Sequence, residues 1–172
     1  MNKISQFFKV SKDRFMSDSA GLLSDYTEEQ RSEMYDDIRL PVRATTGSAG
    51  YDFYIPFSAV IMPGQTITVP TGIRAKIDNG WFLMCCPRSG LGFKFRLRLD
   101  NTVGIIDSDY FGADNEGHIM IRVTNESNIG KILELKQGDA FAQGIFIPFG
   151  ITVDDNAADK RTGGFGSTSS KA

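Results

Sequence analysis

Past Arg43 the chain runs in short stretches of alternating apolar and polar residues, at 51–55, 66–69, 73–77, 81–86, 93–99, 119–123 and 142–149. Alternation at period two puts successive side chains on opposite faces of a strand. Turn residues break up the stretches: Pro63-Gly64, Asp78-Asn79-Gly80 and Gln137-Gly138-Asp139. Short strands at this spacing predict an all-β sandwich, jelly roll or barrel. The 93–99 stretch alternates most strictly. As a strand it sets Phe93, Phe95, Leu97 and Leu99 on one face and Lys94, Arg96 and Arg98 on the other. That basic face suits an anion, solvent or a subunit contact. No helical period is read beyond Pro41. At 101–112 an apolar strand carrying Val103, Ile105 and Ile106 runs into a turn at Asp107-Ser108-Asp109.

The first forty residues differ in texture. Residues 4–10 suit a short strand, and Thr27 with Gln30 fits a helix capping box that opens a helix over 28–38. The segment is polar and ends at Leu40-Pro41. It reads as an appendage packed on the core (1–40), followed by the β domain (41–159) and a Gly/Ser-rich mobile tail (160–172).

Composition narrows the function. A chain of 172 residues suits one domain with a sizeable core. A net charge of −2 and a pI near 5.4 give no footprint for a nucleic-acid polymer. No apolar run approaches a membrane span. The N-terminus lacks the apolar core of a signal peptide. Cys85 and Cys86 are adjacent, which suits neither a disulfide nor a zinc site. These features predict a cytoplasmic protein. His118 is the sole histidine, which argues against a multi-His metal site or a catalytic triad.

Five stretches carry candidate chemistry. Asp107 at a strand end is either a turn cap or a general base. Asp52 follows the small residues 47–50 and either holds a cation or caps a turn. Arg88, Ser89 and Gly90 supply a guanidinium, a hydroxyl and open backbone, a set suited to phosphate and also common in ordinary loops. Gln143 sits in a strand after a Gly-Asp turn. The tail 161–170 holds one arginine, one aromatic and many small residues.

In their order over residues 40–172, and in their spacing from Ala49 through Asp107, these stretches resemble the five motifs of the trimeric deoxyuridine triphosphate nucleotidohydrolases, the dUTPases. The resemblance implies a jelly-roll subunit in a homotrimer with shared active sites. It implies Mg²⁺-dependent hydrolysis of dUTP to dUMP and pyrophosphate, which limits uracil in DNA and supplies dUMP for dTMP synthesis. Asp107 would activate the attacking water, and Tyr110 would pack on the deoxyribose. Asn101, Gly104, Ile105, Ile106 and Met120 would hold the nucleoside. Arg88, Ser89, Gly90 and Gln143 would contact phosphates, and Asp52 would hold Mg²⁺ through water. In the tail, a lid, Phe165 and Gly166 would cover the uracil. Arg161, Ser167 and Thr168 would reach the phosphates.

Three features depart from the family pattern. Lys160 stands where the family places the tail arginine, so Arg161 takes that contact with a tighter loop or Lys160 shares it. Residues 112–118 lengthen the hairpin after Tyr110. Residues 1–40 lie outside the family core, and these last two additions are where a regulatory partner would bind. The related dCTP deaminases share the fold but carry a Glu three residues before an Asn on the next strand. Here Arg122 holds that place before Asn125.

Overall fold

The computed structural model describes residues 2–158 and Gly163. In chain order the elements are β1 (Ser5–Lys9), α1 (Lys12–Ser19), α2 (Glu28–Asp36), β2 (Val42–Arg43), β3 (Tyr51–Tyr54), β4 (Ala59–Ile61), β5 (Thr66–Pro70) and β6 (Ile73–Ile77). They continue with β7 (Trp81–Pro87), α3 (Ser89–Phe95), β8 (Leu97–Leu99), β9 (Gly104–Ile106), a 3-10 turn (Ser108–Gly112), β10 (Met120–Asn125), β11 (Leu133–Leu135) and β12 (Ala140–Pro148). The fold is all-β, and every strand pairing is antiparallel.

The largest sheet has the order β2-β3-β12-β7-β9, and a smaller one has the order β5-β10-β8. Their inner faces supply Phe53, Leu83, Val69, Leu99, Ile121, Val123 and Phe141, all 2% exposed or less. Removing such side chains from water is the main favourable term in folding. β12 is the long central strand. Its partners shift register between Ala140 and Ala142, a bulge at Phe141 that sets Gln143 opposite Asp52. Without the bulge Gln143 would face Tyr51. Bulges commonly re-aim side chains beside functional sites.

The N-terminal segment is woven into this framework. β1 pairs with β6 along its whole length, from Ser5 opposite Ile77 to Lys9 opposite Ile73. Val10, Phe15, Leu23, Met34 and Ile38 join the same buried cluster as the strands. α1 begins at Ser11, whose hydroxyl accepts from the Arg14 amide at 3.1 Å. α2 begins with a complete capping box. The Thr27 hydroxyl accepts from the Gln30 amide at 3.2 Å, and the Gln30 side chain accepts from the Thr27 amide at 2.8 Å.

One expectation fails clearly. Residues 93–99 are not a strand. α3 occupies Ser89–Phe95, and Arg96, at φ 53°, turns the chain into β8. The Arg96 amide donates back to Gly92 O at 2.9 Å and closes the helix. Phe93 consequently stands 91% exposed, whereas the strand pattern would have buried it with Leu97 and Leu99. Two-residue alternation over seven positions does not separate a strand from one exposed helical turn followed by a short strand. α3 also overturns the expectation that no helix follows Pro41.

Candidate active site

The site residues fall in two groups, the first positioned by the large sheet and the second by strands of both sheets. The first lies across three neighbouring strands. Gln143 on β12 is flanked by Asp52 on β3 and Cys86 on β7. Arg88 follows β7 at the N-terminus of α3, and its Nε lies 3.1 Å from Asp52 Oδ1. Gln143 Nε2 donates to Pro87 O at 3.1 Å. Gly50 packs closely against this group: a Cβ at that position would stand 2.5 Å from Gln143 Oε1 and would displace the end of that side chain. Ser89 and Gly90 open α3, ahead of the amides of Leu91 and Gly92, which donate to Arg88 O. The first N–H groups of a helix have no partner within it and favour anions.

The second group surrounds a cavity of about 470 Å³, within the usual range for a small-molecule site. Asn101, Gly104, Ile106 and Met120 line it, with Leu99, Cys85 and Ile121 behind them. Thr68 and Leu22 add to the wall. Asp100 and Arg122 also line it and pair with each other at 2.8 Å. Burial pushes the Cys85 thiol up to about 12, so it lines the cavity as an unreactive small group. Thr102, next to Asn101, sits at φ 67°. A β-branched residue there carries backbone strain, which tends to collect at functional turns.

Asp107 directly follows the cavity-lining Ile106. It occupies the N-cap position of the 3-10 turn, yet its side chain makes no capping hydrogen bond, and the residue is exposed. Ile105 points the other way along β9 and is 46% exposed. It does not line the cavity.

Tyr110 is not brought to the cavity wall. Its ring is 2% exposed. Its hydroxyl donates to His118 O at 2.9 Å and accepts from Asn115 Nδ2 at 2.7 Å. The lengthened hairpin at 112–118 folds back and clasps the phenol, which explains the burial. Gly117 makes that fold possible: it has φ +70°, and a Cβ there would stand 2.6 Å from Tyr110 O. Arg161, Phe165, Gly166, Ser167 and Thr168, with Lys160, lie outside the described residues.

The residues that sequence reasoning missed are those that bind the hairpin to the N-terminal segment. His118 is wholly buried, and its Nε2 accepts from the Gly72 amide at 2.8 Å. The neutral ring therefore carries its proton on Nδ1, which donates to Asp18 Oδ2 at 2.7 Å. Asp18 also pairs with Arg14 at 2.6 Å. Glu116 accepts from the Ser11 amide at 2.8 Å and hydroxyl at 2.6 Å, and lies 3.7 Å from Arg74. Partners about a hundred positions apart leave no local signal.

This network predicts a pH dependence. Burial holds the His118 imidazole below its ordinary range, against the opposing pull of Asp18. Just below the ordinary imidazole value, the unfolded chain takes up a proton that the folded chain refuses. Stability therefore falls as pH drops below about 6.5, by at most about 1.4 kcal/mol per pH unit for this one group. Glu116 is held below the usual carboxylate range, chiefly by the Ser11 hydroxyl, so its contribution is lost at lower pH still. Urea midpoints between pH 7.5 and 5 should fall, and His118→Gln should flatten that slope. A midpoint that does not change with pH would contradict the assignment.

A cavity of small-molecule size beside an arginine–carboxylate pair, set on two antiparallel sheets, places the chain among all-β proteins built around a ligand pocket. The dUTPase family model matches residues 36–169. A deoxyuridine 5'-triphosphate nucleotidohydrolase of Lactococcus lactis is 39% identical over 134 residues, covering 76% of this chain and 88% of the relative. One from Shewanella baltica is 38% identical over 148 residues, covering 81% and 93%. The dUTPase structure from Streptococcus mutans superposes with a TM-score of 0.59 at 36% identity, covering 78% and 97%. A dUTPase of phage phi11 of Staphylococcus aureus, described with a coordinated structural Mg(II) ion, is alike in fold, with a TM-score of 0.61 at 16% identity, covering 91% and 98%. This chain is a member of the dUTPase family.

Proposed function

We propose that this protein hydrolyses dUTP to dUMP and pyrophosphate, with Asp107 as the general base. The reading rests on one juxtaposition. The cavity lined by Asn101, Gly104, Ile106 and Met120 is followed without a break by the exposed carboxylate of Asp107. The nucleoside is held in that cavity by polar atoms of 101–106 and the backbone at Met120. A water oxygen bonds to the α-phosphorus as Asp107 takes its proton. The bond from the α-phosphorus to the bridging oxygen breaks, and pyrophosphate leaves. Charge develops on phosphate oxygens, and positioned cations stabilise it. Arg88, Ser89, Gly90 and Gln143 are the groups assigned to the phosphates.

Among the described residues no cluster of three or more His, Cys, Asp or Glu side chains could cage a metal. Mg²⁺ keeps most of its waters and takes one or two carboxylates plus substrate phosphates, so it does not require such a cage. Asp52 is the carboxylate placed to hold it through water, and the ion would supply positive charge to the phosphates. Tyr110, clasped through its hydroxyl, would offer the sugar no more than the edge of a ring fixed in place. We assign the tail 160–172 as the lid, with Phe165 on the base and Arg161, Ser167 and Thr168 on the phosphates. The family resemblance implies a homotrimer that shares its sites between subunits, and we propose the same assembly here. The product dUMP would feed dTMP synthesis. No helix among the described residues is long and apolar enough to cross a membrane, and we place the activity in the cytoplasm. Hydrolysis in ¹⁸O-water tests the chemistry: the label should enter dUMP. Label found in pyrophosphate would mean attack on the β-phosphorus and would exclude this mechanism.

A further inference from the structure

The N-terminal segment contributes a side chain to the nucleoside cavity. Leu22 lines it together with Asn101, Gly104 and Met120, and is 42% exposed. Residues 11–22 precede the part of the chain that the family model matches, which begins at residue 36. The wall therefore comes from outside the region that defines the family.

Leu22 is held in place from both sides. Its amide donates to Ser19 O at 3.1 Å, and that of Leu23 donates to the same oxygen at 2.8 Å. Ser19 and Leu23 are buried, so the turn between them is anchored. One turn earlier, Asp18 accepts from the wholly buried His118 ring, which also receives the Gly72 amide. At the start of the helix, Ser11 is bound twice to Glu116. The two additions to the family pattern, the N-terminal segment and the lengthened hairpin, are thus one unit. It joins the cavity wall at Leu22 to the strand that carries Met120.

We propose that Leu22 is a specificity-determining contact of the nucleoside pocket, an apolar wall held in position by the Asp18–His118 pair. Its partner is the apolar part of the bound nucleoside, the pyrimidine carbon edge or the deoxyribose carbons. A nucleoside seated there covers an exposed leucine and gains from removing that area from water. The proposal rests on the dUTP reading of the same cavity.

The test uses the full chain with dUTP and its α,β-imido analogue. Leu22→Ala and Leu22→Gln should each raise KM, and the Kd of the analogue, by roughly 10-fold, near the low end for a lost apolar contact in a pocket. kcat should stay within about two-fold, because a contact made equally to substrate and transition state changes binding alone. Affinity for pyrophosphate, which has no nucleoside, should not change. Asp18→Ala should raise KM in the same way. Asp18→Asn, which keeps an oxygen for the His118 Nδ1–H, should restore it. If wild-type protein turns over dUTP and folded Leu22→Ala and Leu22→Gln keep its KM, Leu22 is a surface residue and the proposal is wrong. If the analogue binds with equal loss of pyrophosphate affinity, the effect is not a nucleoside contact. If wild-type protein neither binds nor hydrolyses dUTP, the functional reading has failed, and this proposal fails with it.

Discussion

Asp107→Asn lowers dUTP turnover by roughly 10²–10⁴-fold, the usual worth of a positioned general base, while nucleotide binding persists. The substitution keeps the size of the side chain and removes its basicity. Asp107 is exposed, so the substitution disturbs no packing in the core. The cavity contacts at Asn101, Gly104 and Met120 are untouched, as is the Arg88–Asp52 pair. Titration with the imido analogue should give a Kd near that of wild type, and the melting temperature should hold. Equal losses of binding and turnover would make Asp107 a structural turn residue.

Phe15→Ala costs about 3–5 kcal/mol of stability, the range for a large buried side chain. Phe15 is wholly buried on α1, with its ring centroid 5.7 Å from that of Tyr35 and 6.2 Å from the His118 ring. A segment that merely rested on the domain would not hold such an anchor. The loss should also loosen the hairpin around His118, and so the clasp on the Tyr110 hydroxyl. Urea unfolding should remain one cooperative transition with a lower midpoint. A change below about 1 kcal/mol would show that residues 2–40 unfold independently of the strands.

Much of the strand framework was legible. Ile73–Ile77 matches its alternating run, and Thr27 with Gln30 marked the start of α2. These signals are local. β4 and β11 are three residues each, too short to establish a period. α1 is mostly polar, with Phe15 its one buried apolar residue, so no stripe announced it. α3 was hidden by an alternation that mimics a strand. At the site, Asn101, Gly104, Ile106 and Met120 were named from the order of motifs, and they line one cavity. Leu22 and Asp18 were not named, and His118 only as the sole histidine, because their roles exist only once the N-terminal segment is docked. The burial of Tyr110 follows from the lengthened hairpin, whose path depends on Gly117 at positive φ.

Pyrophosphate release from dUTP, dTTP, dCTP and UTP, each with Mg²⁺, tests the central claim most directly. The account predicts rapid release from dUTP and little from the other three. A pocket built from polar atoms of 101–106 leaves buried groups unpaired against cytosine, at about 1–3 kcal/mol for each such group. Comparable turnover of dCTP or UTP, or ammonia release from dCTP, would contradict it.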